Sequence, residues 1–289
     1  SSLKCLNTLL IMSAQVRYLC SKVLRHFNEE FTLRLNQFKK RGLKYSQKEV
    51  KIMKLEADLH IHTTASGHGY STIKEIADIA SEKGLKMIAI TDHGLKMPGA
   101  PHWYYFTNLI SLPRVMQGVE VLRGVEANIL DLEGNVDMPE IVMSDYLDIV
   151  LAGFHDETGY SGRGVEENTQ AMVAAIKNPY VHIIVHPGNP RFPIDVEQVV
   201  LAAKQYNKAI ELNNSSFVVR PGSQSLCSQF AKAAKKHNAL VSINSDAHIC
   251  YNVGENAKAM DLALDAGIRN SQILNSSSRK IDEYLSWHR

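Results

Sequence analysis

Two histidines stand two residues apart in Asp58-Leu59-His60-Ile61-His62, and an acid and a histidine share that spacing in Ser245-Asp246-Ala247-His248. Side chains two apart on a strand point to one side, so each segment presents two donor groups together, with Leu59 and Ile61 facing the helices. His68 follows on a loop. Further candidates occur in Thr91-Asp92-His93, Gly124-Val125-Glu126-Ala127-Asn128, Gly153-Phe154-His155 and His186-Pro187-Gly188-Asn189-Pro190. Seven of the twelve histidines belong to this set. A lone histidine at a strand end is commonly a hydrogen-bonded core residue. Burying seven unpaired rings would cost several kcal/mol each, and metal ligation removes that cost. Imidazole and carboxylate donors without thiolate suit zinc, manganese or iron, and the abundance of histidine favours zinc.

The elements that must position these residues alternate regularly. Apolar, β-branched runs at 57–62, 87–91, 121–126, 149–154, 182–185, 209–212 and 240–243 predict seven strands. Segments with helical spacing at 71–83, 166–177, 195–206, 223–237, 255–266 and 278–287 lie between and after them. Continuous apolar strands alternating with helices predict an α/β fold with a parallel sheet covered on both faces. Seven such units close most naturally as a distorted seven-stranded parallel (β/α)7 barrel related to the TIM barrel. Chemistry in such barrels sits at the C-terminal strand ends. Six of the seven predicted strands deliver a His, Glu or Asp to that rim, and only the sixth, ending in Asn213-Asn214, offers amides.

DLHIHT, TDH, GVEAN, AGFH, HPGNP and SDAH occur in that order, and together they resemble the PHP family, named for polymerase and histidinol phosphatase domains. The resemblance runs from residue 53 to about residue 283 and is strongest to the stand-alone bacterial phosphatases with three zinc ions. It implies that His60, His62, Glu126 and Asp246 hold a first metal, and that His68, His93 and His248 hold a second. His155 and His186 would hold a third, with Glu126 bridging to it. It also implies a metal-bound hydroxide as the nucleophile, with no protein nucleophile. Two carboxylates against three dications leave a field that selects an anion such as a phosphate monoester. Asp92 and Asp58 adjoin ligands; each is expected either to orient an imidazole or to make a structural hydrogen bond. His182 alternates away from the rim, and His237 and His288 are expected at the surface.

The expected substrates are small phosphate monoesters. Phosphodiester or nuclease-type hydrolysis, or a non-catalytic metal-stabilised module, are the alternatives. No GxxxxGK[ST] loop is present, which argues against nucleotide-driven phosphoryl transfer. No lysine occupies a strand end, as a two-metal amide hydrolase would use. His102 and Trp103 in the loop after the second strand could touch a leaving group or pack locally. Arg163 and Arg191 could hold a phosphate or face solvent.

Residues 1–52 carry eleven Lys and Arg against three Glu, a net +8, and the remainder is −6. The acidic balance after residue 52 and the lack of a basic stripe argue against nucleic acid as a partner. No apolar run reaches the length of a membrane span. The scattered Cys5, Cys20, Cys227 and Cys250 favour a reducing, cytoplasmic setting. The basic leader at 1–52 has three readings: translated upstream sequence before a start at Met53, a transit-like peptide, or a docked amphipathic helix spanning 15–40. Lys48-Glu49-Val50, encodable as a ribosome-binding sequence, motivates the first. Residues 53–289 form the expected metallophosphoesterase barrel.

Overall fold

Strands buried on both faces read as unbroken apolar runs, and that is how the runs behave in the computed structural model, which describes residues 54–161 and 163–288. The three readings of the leader concern residues outside that set. Seven strands, β1 (Ala57–Ile61), β2 (Met87–Ile90), β4 (Val119–Asn128), β5 (Ile149–Gly153), β6 (Ile183–Ile184), β7 (Ala209–Asn213) and β8 (Val241–Asn244), pair in parallel in that order. A bridge between Ile61 and Ala247 brings the ends round to a nearly closed barrel. At this seam amide side chains replace the ladder. Asn275 donates to Ala57 O at 2.9 Å and to Ile243 O at 2.6 Å, and Leu59 N donates to Asn244 Oδ1 at 3.2 Å. The backbone groups that the imperfect closure leaves over are thereby satisfied.

The predicted strand β4 is longer than its apolar run because it is extended by an unpredicted hairpin with β3 (Val115–Met116). Gln117 and Gly118 at its turn both have positive φ, 53° and 79°, the conformation a two-residue primed turn requires. β6 is shorter than expected, since only Ile183 and Ile184 pair on both sides.

Packing places α1 (Ile73–Glu82), opened by a Thr72/Glu75 capping box, against Ile61, Ile88 and Ile90. The interior alternates with this face: Ala57, Leu59, Met87, Ala89, Leu122 and Ile149 form one cluster. It is closed from below by Ile281, Tyr284 and Leu285 of the last helix, Ser278–Trp287. Leu59 therefore faces inward, contrary to the expectation that it would face the helices as Ile61 does. The cause is a register slip in the β1–β2 pairing between Asp58 and Ile61, which turns two successive residues to one side.

Candidate metal centre

The slip in β1 sends His60 and His62 into the barrel mouth. Glu126 rises from β4, where a bridge pairs it with His93 just beyond β2. His155 lies two residues past β5, His186 two past β6, and Asp246 two past β8. His60, His62, His93, Glu126, His155, His186 and Asp246 are all buried. His68 and His248 form the more open side of the cluster. His186 and Asp246 have φ of 32° and 57°, the left-handed region that non-glycine residues seldom adopt. At both, the chain bends sharply so that the side chain turns into the mouth.

All nine residues singled out from the sequence meet here. His60 Nε2 is 3.1 Å from His62 Nε2, 3.3 Å from Glu126 Oε1 and 3.6 Å from Asp246 Oδ1. His62 Nε2 lies 3.3 Å from Glu126 Oε2 and 3.4 Å from Asp246 Oδ1. Donors on one tetrahedral zinc, each about 2.0–2.2 Å from it, stand roughly 3.3 Å apart, the spacing that His60, His62 and Asp246 approach, while Glu126 turns a different oxygen to each histidine. On the open side His68 Nε2 and His93 Nε2 are 3.3 Å apart, and the His248 ring stacks on His68 with centroids 4.8 Å apart. On the third side His155 Nε2 and His186 Nε2 approach Glu126 Oε1 at 3.0 and 2.6 Å.

Three donor groups are tight enough for one cation each: His60, His62 and Asp246; His62, His93 and His248; and His93, Glu126 and His155. This division differs from the family pattern by placing His62 where His68 was expected and His93 where His186 was expected, and by leaving Glu126 out of the first group. His93 enters the third group because, while its Nε2 faces His68, its Nδ1 lies 2.8 Å from Glu126 Oε2. That last contact lacks hydrogen-bond geometry. His93 Nδ1 and Glu126 Oε2 are both buried without a hydrogen-bond partner, an arrangement that a shared cation would satisfy.

The electrostatics follow from crowding five imidazoles round one carboxylate. Burial alone would raise Glu126, but His155, His60 and His93 hold it well below the usual carboxylate range. Asp246 is likewise held low against burial by His60, His62 and Arg220. His62 is pushed up to about 9, because Asp246 and Glu126 outweigh its burial. His186 and His248 are pushed down to about 4, chiefly by burial, with Arg220 and His62 respectively adding to the effect.

Of the neighbouring acids, Asp92 acts on an imidazole one step removed. It accepts hydrogen bonds from Thr63 N at 2.7 Å, Ser66 Oγ at 2.6 Å and Tyr105 OH at 2.6 Å, and Ser66 Oγ is 3.1 Å from His62 Nδ1. Asp58 is structural: it accepts from Ser245 Oγ at 2.5 Å and Gly254 N at 2.8 Å, tying β1 to the loop after β8. Two residues escaped the sequence reading. Glu211 on β7 touches His60 Nδ1 at 2.8 Å, and Arg220 donates to Asp246 Oδ2 at 3.2 Å. Glu211 could have been found by the two-residue rule, since it shares a strand face with Asn213. Arg220 has no comparable signal.

The remaining candidates lie outside the cluster. Arg163 pairs with Glu167 at 3.0 Å, and His102 Nδ1 accepts Tyr104 N at 3.2 Å to cap the helix Trp103–Asn108. Trp103 itself is exposed. Arg191 pairs with Asp156 at 2.8 Å and lines, with His155, Asn189 and Arg220, a cleft of about 310 Å³ beside the cluster. His182 is buried at the opposite end of the barrel, its Nδ1 accepting Val150 N at 3.0 Å. His288, expected at the surface, is half-buried because its ring packs on Tyr284 and His182. His237 is half-buried too, held by Glu197.

Known proteins are similar to this chain in sequence and fold. The PHP domain matches residues 58–245. A probable phosphatase of Caldanaerobacter subterraneus subsp. tengcongensis is 52% identical over 234 residues, which are 81% of this chain and 92% of that protein. A probable phosphatase of Acetivibrio thermocellus is 48% identical over 233 residues, 81% of this chain and 96% of that protein. The crystal structure of histidinol phosphate phosphatase from Lactococcus lactis, complexed with zinc, L-histidinol and phosphate, is similar in fold. It has a TM-score of 0.56 and 17% identity, and it covers 73% of this chain and 94% of that one. With its nine donors in one barrel mouth and a match over most of its length, this chain belongs to the PHP domain family.

Proposed function

We propose that this protein hydrolyses small phosphate monoesters with divalent cations, zinc foremost, held in the barrel mouth. One observation carries the reading: His60, His62 and Asp246 stand at the spacing that one ion imposes, and Glu126 lies 3.3 Å from both histidines with its buried Oε2 lacking a hydrogen-bond partner. His60, His62, Glu126 and Asp246 would hold the first ion, His68, His93 and His248 the second, and His155 and His186 with Glu126 the third. The activity belongs to residues 53–289, with 1–52 as a leader.

Bound cations supply Lewis acidity and bring a coordinated water from a pKa of about 15.7 toward about 7. The chain does the rest. Two carboxylates among nine donors leave the mouth positive once cations are bound, which draws a phosphate dianion. Arg220, paired with Asp246, and Arg191, paired with Asp156, border the cleft beside His155. Asp92 through Ser66, and Tyr105 through Asp92, keep His62 fixed while substrate enters. Among the described residues no helix is long and apolar enough to cross a membrane. The relatives' phosphatase names support the same class of reaction.

The test combines metal analysis of the full chain with turnover of p-nitrophenyl phosphate and bis(p-nitrophenyl) phosphate. Bound zinc and faster monoester turnover are expected. Faster diester turnover would move the assignment to a phosphodiesterase. A metal-replete protein inert across a panel of phosphate esters would leave a non-catalytic metal module.

A further inference from the structure

Glu211 is the one acid in the strand Ala209–Asn213, and its side chain is fully buried beneath the cluster. It belongs to none of the tight donor groups. Its two oxygens are already taken. Oε1 lies 2.8 Å from His60 Nδ1 and accepts Asn244 Nδ2 at 2.9 Å. Oε2 accepts His186 N at 2.8 Å and Asn213 Nδ2 at 3.0 Å. A carboxylate has about four lone-pair directions, so Glu211 has little left for a cation.

We propose that Glu211 is a positioning residue that fixes two separate metal positions through one carboxylate. A carboxylate only accepts, so the proton of neutral His60 sits on Nδ1 and the lone pair on Nε2. Nε2 faces His62, Glu126 and Asp246. The other oxygen holds the backbone of His186 in its left-handed bend at φ 32°, from which His186 Nε2 reaches Glu126. His60 belongs to the first proposed position and His186 to the third. Among the described residues, none of His68, His93 and His248, which build the second, contacts Glu211 directly; one path to it runs through Asn213 and Asp246. Outer partners of this kind alter metal affinity by roughly ten- to a hundredfold.

The inference rests on the metal-centre reading above, and the test separates the two. Zinc affinity of the full chain is measured by chelator competition, equivalent by equivalent, for wild type and Glu211→Gln. Melting is recorded with and without zinc. In the variant, two equivalents are expected to weaken roughly ten- to a hundredfold while the third stays as in wild type, and the zinc-induced rise in melting temperature shrinks. A merely structural role would lower the metal-free melting temperature and leave the zinc-induced rise unchanged. That result, or an equal weakening of every equivalent, overturns the proposal. Should Glu211→Gln fail to fold, Glu211→Asp keeps the charge with one methylene less reach and carries the same expectation. Wild type that binds no zinc overturns the metal-centre reading along with this one; wild type that binds it with an indifferent variant overturns this one alone.

Discussion

Replacing Glu126 by glutamine tests the centre of the cluster with almost no change in volume. Oε1 lies within 3.3 Å of His60, His155 and His186, and Oε2 lies within 3.3 Å of His62 and His93. A glutamine must turn its NH2 toward one of these sides, so at least two ring nitrogens would meet a donor where they now meet an anion. The charge that offsets bound cations also falls from two carboxylates to one, leaving Asp246. Removing one partner from a buried charge network costs about 3–5 kcal/mol. If that loss appears in cation binding, it amounts to roughly a hundredfold to a few thousandfold in affinity. The assay is metal content after dialysis against a weak chelator, read beside turnover of a chromogenic monoester. At least one equivalent of metal should be lost and turnover should collapse. A variant with full metal content and normal turnover would refute the idea that one carboxylate serves several ions.

Two further expectations concern pH and packing. In the metal-free protein His62 is raised to about 9 from an unfolded value near 6.5, so its contribution, roughly 3 kcal/mol, is complete below pH 6.5 and vanishes as pH climbs through 9. His186 and His248, lowered to about 4, act in the opposite sense: the unfolded chain gains their protons first, and stability falls as pH drops from about 6.5 toward 4. Melting of chelator-stripped protein should therefore peak between these limbs, and a melting temperature still climbing from pH 7 to 9 would contradict the assignment. Gly153→Ala would bring a Cβ within 2.8 Å of Val185 Cγ2 and 2.9 Å of His186 Cε1. Overpacking of this kind costs about 1–3 kcal/mol, and the shift of His186 should also weaken zinc retention. Unaltered melting with unaltered zinc content would show that His186 is not held in place there.

Much of the site was legible because strand geometry is periodic. The pairs His60/His62 and Asp246/His248 announced a shared face by spacing alone, and the barrel supplied the reason for distant segments to meet. Periodicity failed where the backbone departs from it. Nothing in ADLHI marks the register slip, which depends on how β1 pairs with β2, so Leu59 was assigned to the wrong side. Glu211 sits inside an otherwise apolar run, two residues before the amide that ends the strand. Arg220 reaches Asp246 from the end of the short helix Ser216–Val219, a path with no sequence period. The hairpin of β3 turned on Gln117 adopting positive φ, which glutamine rarely signals.

The slip in β1 also bears on the chemistry. Strict alternation would have put His60 and Leu59 on opposite faces, leaving the imidazoles above whatever the neighbouring strands offered. With both turned inward, Leu59 and its partners Ala89, Leu122 and Leu151 form a dry layer within the barrel that carries the cluster. Above it, at the mouth, His68 and His248 stand more open. Burial accordingly dominates the depression of His186 and His248, keeping both rings neutral near pH 7 with their nitrogens free to act as ligands. A single irregularity in strand pairing thus serves two purposes, aiming the donors and drying the layer beneath them.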